Sequence, residues 1–87
     1  MKLKIIRVIK EISDIKSLMF TKVNISFKPG QYLTYKIDVK DPKGNLRPFS
    51  IASSPTEDFL MLSTKISQTP FKQTLNKLKI SNEIEAS

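Results

Sequence analysis

The sequence predicts an all-β fold: a small antiparallel six-stranded Greek-key-type barrel with one short helix before the last strand. Three observations predict it. Apolar and polar residues alternate with a period of two over several short stretches, turn-forming residues separate those stretches, and one stretch near the end changes to helical spacing. A closed barrel also hides the unpaired edges that an open sheet of short strands would leave.

Met1 to Ser13 alternates imperfectly, with Leu3, Ile5, Val8, Ile9 and Ile12 set among Lys2, Lys4, Arg7 and Lys10. The face changes near Ile5-Ile6, which is the mark of a bulge. Leu18 to Phe27 reads as a second strand with Phe20, Val23, Ile25 and Phe27 inward, and Lys28-Pro29-Gly30 turns the chain. Gln31 to Lys40 alternates cleanly, so that Leu33, Tyr35, Ile37 and Val39 face in while Thr34, Lys36, Asp38 and Lys40 face out. Asp41-Pro42-Lys43-Gly44-Asn45 has the residues of a tight turn, and Leu46 to Pro55 follows as a fourth strand-like run.

Pro55-Thr56-Glu57-Asp58 makes the next reversal, and Phe59 to Ile66 alternates again with Leu60, Leu62 and Ile66 inward. The period then changes. Phe71, Leu75 and Leu78 are spaced as one helical face, Thr69 can cap that helix, and Pro70 suits its first position. Ser81 to Ser87 begins a sixth strand around Ile84.

With 87 residues, 39% hydrophobic and 26% charged, the chain has the size and composition of one soluble globular domain. Its apolar runs are short and broken by lysines, so no membrane span or signal peptide is expected, and the expected location is cytoplasmic. The absence of cysteine and histidine excludes disulfides, thiol nucleophiles, the usual zinc sites and a serine-histidine triad. Redox chemistry would have to come from a cofactor. The eight acids are scattered and form no evident acid-base dyad. The net charge of +7 draws on fifteen basic residues, eleven of them within the first 47 positions. Such a field attracts nucleic acid, an acidic protein or a phosphorylated ligand without choosing among them, and much of it is consistent with the solvated face of a sheet.

Two places carry candidate chemistry. In Leu46 to Pro55, Arg47, Phe49 and Ile51 share one face of a strand while Pro48 and Ser50 share the other. A guanidinium offers a flat fork of donors suited to phosphate oxygens, and a phenylalanine offers an apolar plane beside it. A planar ring system joined to a phosphate, as in a flavin nucleotide, matches both; a core phenylalanine next to a solvated arginine is the plainer reading. The second place is the helix start at Thr69, whose first turn contains Lys72 and no acid. A helix start favours negative charge, so a pyrophosphate would suit it, although an ordinary capped helix with an exposed lysine fits as well.

Read together with Pro29-Gly30-Gln31-Tyr32 and Thr69-Pro70-Phe71-Lys72, the run Arg47-Pro48-Phe49-Ser50 resembles the flavin-binding barrel of the ferredoxin-NADP reductase superfamily. That family's mark is arginine, any residue, tyrosine or phenylalanine, then serine. The resemblance covers Met1 to about Ile84. It implies that Arg47 holds the FAD pyrophosphate, that Phe49 lies against the isoalloxazine and that Ser50 hydrogen-bonds near flavin N5, the catalytic position. It further implies that Thr69, with Lys72 in the same helix turn, helps bind the pyrophosphate. Ile51, Ala52 and Ser53 would pass beside the flavin, and Lys65 and Ile66 would lie near the adenylate half. Pro29-Gly30-Gln31-Tyr32 would shape the barrel.

The chain departs from the family in three ways. Phe49 replaces the commoner tyrosine, Ser81-Asn82 stands in place of glycine-aspartate, and the glycine-proline-rich segment after the last strand is missing. The nicotinamide-binding domain is absent from these 87 residues, so residues 1–87 are expected to be a single FAD-binding-type barrel, a fragment or truncated product of an NAD(P)H-dependent oxidoreductase and not a complete reductase. FAD would pass electrons between nicotinamide and a one-electron carrier. An acidic ferredoxin-type protein and a separate nicotinamide-binding domain or chain are the implied partners. The alternatives are a small basic barrel that stacks nucleic acid on Phe20, Phe27, Tyr32, Tyr35, Phe49 and Phe59, and a flavin-free barrel whose unfinished sixth strand pairs with another chain in a dimer or assembly.

Overall fold

The computed structural model describes residues 1–21, 27–28 and 31–87. The inward positions expected at Val23 and Ile25, and Pro29-Gly30, lie outside the described residues.

Nine residues, Lys2–Lys10, form β1, and Ile15–Thr21 forms β2. Their register slips between Ile5 and Arg7, so Ile6 is the extra residue of the expected bulge. The slip has a use: Leu3 and Ile5 point into the core before it, and Val8 turns toward the core after it. The turn joining the two strands comes earlier than the alternation predicted. Ser13 and Asp14 both have positive φ, 57° and 65°, and Ile15 N–H donates to Ile12 C=O at 3.3 Å. This is the geometry of a two-residue hairpin turn, which matches strand twist but is usually built with glycine or asparagine. Ile12, expected within the first strand, therefore sits exposed on the turn.

Tyr32–Lys36 forms β3, Leu46–Ser50 β4, Phe59–Lys65 β5 and Glu83–Ala86 β6. All pairings are antiparallel, and the sheet order is β4-β3-β6-β1-β2-β5. The seam between the first and last strands of that order is bridged by Ile51 opposite Leu62, with Ala52 N–H donating to Met61 C=O at 2.8 Å. Six antiparallel strands thus curl into the expected small barrel. The sixth strand is short yet lies between β1 and β3 with partners on both sides, so it offers no open edge.

Leu3, Ile5, Leu18, Phe20, Leu33, Tyr35, Leu60, Leu62 and Ile84 fill the barrel. The helix α1, Pro70–Asn76, closes one end by inserting Phe71 and Leu75, with Leu78 packed behind them. Ile37 and Val39 continue the inward face beyond β3, and the Ile37 N–H donates to Asn45 C=O at 3.1 Å, one step further in the β3–β4 register.

Candidate functional site

The strand β4 lies at the end of the sheet order, which is where a proline can replace a ladder donor, and Pro48 occupies it. Pairing with β3 sets Arg47 opposite Tyr35 and Phe49 opposite Leu33. The alternation follows the sequence: Arg47, Phe49 and Ile51 are buried or half-buried, whereas Pro48 and Ser50 are exposed. Ser50 therefore lies on the opposite face from Phe49.

Rings run from the core to this strand. Phe20 stacks on Tyr35 at 6.0 Å between centroids, Tyr35 meets Phe49 at 5.8 Å, and Phe49 meets Phe71 of α1 at 6.2 Å. Two cations sit on the outer end of this row. The Arg47 guanidinium is 5.1 Å from the Phe71 ring centre, and Lys72 Nζ is 5.2 Å from that of Phe49. Lys72 also donates to Thr64 Oγ1 at 2.5 Å and to the Lys65 carbonyl at 2.8 Å. Burial, followed by the charge of Arg47, lowers the Lys72 pKa below the usual lysine value.

Thr69 caps α1 as expected: its hydroxyl accepts from Lys72 N–H at 3.3 Å, and Pro70 follows at the first helical position. The first turn of the helix contains no acid, yet an anion does meet it. Asp41 Oδ2 accepts from Phe71 N–H at 3.0 Å, and Asp41 Oδ1 accepts from Lys43 N–H at 2.9 Å and from Arg47 Nη2 at 3.0 Å. The backbone bonds from Lys43 and Phe71, with help from Arg47, hold this carboxyl below the usual carboxylate range. Arg47 Nη1 in turn donates to the carbonyls of Lys43, Gly44 and Leu46 at 3.0, 3.0 and 2.8 Å. Sequence reasoning read Asp41 only as a turn former, since nothing local announces a partner thirty positions away.

The structure thus gathers Arg47, Phe49, Thr69, Lys72 and the Lys65 carbonyl around the start of α1. Ile51, Ala52, Ser53 and Ile66 also hold the barrel itself together. Ile51 N–H donates to Gln31 C=O and Ala52 N–H to Met61 C=O, both at 2.8 Å, and Ser53 Oγ accepts from Met61 N–H at 3.1 Å. The Ala52 and Ser53 bonds fasten the seam, and the Ile51 bond continues the β3–β4 pairing. Ile66 packs beside the core, and its N–H donates to Asp14 C=O at 2.8 Å. It lines a depression of about 320 Å³ with Val8, Ile15 and Lys16, next to a shallower one of about 770 Å³ along Asn76 to Ile80. Both depressions are lined by residues other than Arg47 and Phe49.

Of the rings expected to stack nucleic acid, Phe20 and Tyr35 are buried in the core, Phe27, Phe49 and Phe59 are half-buried, and Tyr32 is exposed at 65%. Among the described residues no helix is long and apolar enough to cross a membrane.

No family model and no curated protein matches the sequence. Solved structures do match. An NADH-dependent reduced ferredoxin-NADP oxidoreductase studied for flavin-based electron bifurcation aligns over 98% of this chain with a TM-score of 0.78 and 19% identity. The barrel has a ferredoxin-NADP reductase-like fold. A single-substitution mutant of ferredoxin-NADP+ reductase from Plasmodium falciparum aligns over 98% of this chain with a TM-score of 0.77 and 20% identity. The reductase-like barrel covers 32% and 36% of those two chains, about a third of each. At these identities the likeness is one of fold, and it agrees with the resemblance carried by Arg47-Pro48-Phe49-Ser50.

Proposed function

We propose that residues 1–87 are a flavin-binding module that holds FAD and belongs to an NAD(P)H-dependent oxidoreductase, with a nicotinamide-binding domain or chain supplied separately. The observation that carries this reading is the pair of cations, Arg47 and Lys72, set over the Phe49–Phe71 ring pair beside the start of α1. Such a donor set fits the cofactor: a guanidinium and an ammonium for phosphate oxygens, and a flat apolar ring for the isoalloxazine.

In this reading FAD supplies the electron-transfer chemistry, and the protein supplies position and charge. Arg47 and Lys72 neutralise the pyrophosphate, assisted by the Thr69 hydroxyl. Phe49 offers its ring to the isoalloxazine. The hydroxyl of Ser50, on the solvent face at the end of β4, is the donor offered to the reactive edge of the ring system. Ile51, Ala52 and Ser53 keep the neighbouring backbone rigid through their hydrogen bonds, and Lys65 and Ile66 border the adenylate half. A one-electron carrier with an acidic surface, such as a ferredoxin-type protein, suits a chain of net charge +7.

The test is absorbance. The purified chain is incubated with FAD, passed through gel filtration and compared with Arg47→Ala. Flavin absorbance that travels with the native protein and is lost in the variant supports the reading, and a colourless native protein at high FAD concentration removes it.

A further inference from the structure

The group that the flavin reading assigns to phosphate already has an anion against it. Arg47 Nη2 is 3.0 Å from Asp41 Oδ1, and the Asp41 side chain is only 3% exposed. The same carboxylate receives the Lys43 and Phe71 N–H groups at 2.9 and 3.0 Å. A carboxylate and a phosphate compete for the same donors, because both present oxygens at a spacing that fits a guanidinium fork. Held side by side on one guanidinium they repel.

We propose that Asp41 is a built-in counter-anion, displaced from Arg47 when a pyrophosphate-bearing ligand binds. The inference rests on the flavin reading of the Arg47 site and goes beyond it by naming a residue that sets the threshold for entry. A pyrophosphate, with more than one charge, outcompetes a single carboxylate, whereas singly charged anions gain little by the exchange. The exchange is local, since the Asp41 to Gly44 turn that bears the carboxylate is closed by one backbone bond of 2.8 Å. Lys72, over the Phe49 ring, remains as the second cation for the incoming ligand.

A clamp that merely orients Arg47 for the ligand predicts the opposite sign, so the two roles separate in one experiment. FAD and inorganic pyrophosphate are titrated into the native chain and Asp41→Asn at fixed ionic strength, FAD by its fluorescence and pyrophosphate by the amide shifts of residues 41–47 and 71. Asn keeps one acceptor, Oδ1 for the Lys43 amide, and removes the charge, while its NH2 replaces the oxygen that faces the Phe71 amide. The expected result is binding of both ligands about tenfold tighter in Asp41→Asn, with the gain abolished when Arg47→Gln is added. Equal or weaker binding in Asp41→Asn overturns the displacement.

The outcomes also separate this inference from the flavin reading. Tighter pyrophosphate binding in Asp41→Asn with no FAD binding by either protein upholds the displacement and removes the flavin. FAD bound by both with equal affinity removes the displacement and keeps the flavin, and no binding of either ligand removes both. Asp41→Ser, which keeps an oxygen for the Lys43 amide, decides the matter should Asp41→Asn fail to fold by circular dichroism.

Discussion

Lys72 Nζ stands 5.2 Å from the ring centre of Phe49 while donating to Thr64 Oγ1 at 2.5 Å and to the Lys65 carbonyl at 2.8 Å. Two hydrogen bonds to β5 thus hold a lysine of α1 over a ring of β4, and three elements meet at one charge. Lys72→Met keeps the aliphatic stem and removes the charge. FAD affinity is expected to fall about tenfold, with little change in thermal stability, in a fluorescence titration paired with a melt. Because burial and Arg47 lower the Lys72 pKa, FAD binding to the native chain should weaken with rising pH before an ordinary lysine, at 10.5, loses its proton. In Lys72→Met that early loss should vanish.

Arg47 has a second occupation besides phosphate. Its Nη1 joins three carbonyls of the 43–46 segment, and its Nη2 holds Asp41. A lysine keeps the charge but cannot fork. Arg47→Lys should therefore weaken FAD binding and also lower Tm, by about 5 °C for a loss of roughly 1 kcal/mol in a domain of this size. Unchanged Tm with weakened binding would show that the carbonyl bonds contribute nothing to the loop.

Tyr35 is fully buried between Phe20 and Phe49, and its hydroxyl is a buried polar atom without a hydrogen-bond partner among the described residues. Leaving such a group unsatisfied costs about 1–3 kcal/mol. Tyr35→Phe should stabilise the barrel by about 1 kcal/mol in urea unfolding. Burial also pushes the phenol up from 10.0 to about 12. The unfolded chain gives up that proton near pH 10, whereas the folded chain keeps it until about 12. Stability is therefore flat in this group below pH 10 and falls as pH rises from about 10 to 12, by roughly 2–3 kcal/mol, and Tyr35→Phe should abolish that slope.

Among the described residues three that are not glycine hold positive φ: Ser13 at 57°, Asp14 at 65° and Ser81 at 78°. The left-handed conformation strains residues with a Cβ by about 1–2 kcal/mol, part of which glycine's greater chain entropy offsets. Ser81→Gly, and separately Ser13→Asn with Asp14→Gly, should each raise stability by about 0.5–1 kcal/mol in chemical unfolding. Ser81 is the position at which the resembling family usually has glycine, so its strain gives that departure a physical meaning.

Period-two alternation marked β1, β3, β4 and β5, because a strand with one wet and one dry face takes that pattern, whereas β2 was read three residues late and β6 only as a run around Ile84. The helix was legible from Thr69-Pro70 and the Phe71, Leu75, Leu78 spacing. The first hairpin was misplaced because its turn uses Ser13-Asp14, which carry no glycine signal, and this moved the start of β2 from Leu18 to Ile15. Arg47 and Phe49 were legible as a candidate site from residue type and shared face. Asp41 was not, since its bonds to Arg47 and to Phe71 depend on a loop and a helix brought together only by the closed barrel.

The seam between β4 and β5 is fastened at Ile51 and Ala52, whereas β2 and β5 pair over seven consecutive residues. Barrel breathing should therefore begin at this seam. In native-state hydrogen exchange the Ala52 amide, which donates to Met61 C=O across the seam, should be released by a smaller opening than those of Leu18 and Phe20. Arg47 and Phe49 stand on the strand that swings, so a ligand that grips them would slow the exchange of a ladder it never touches.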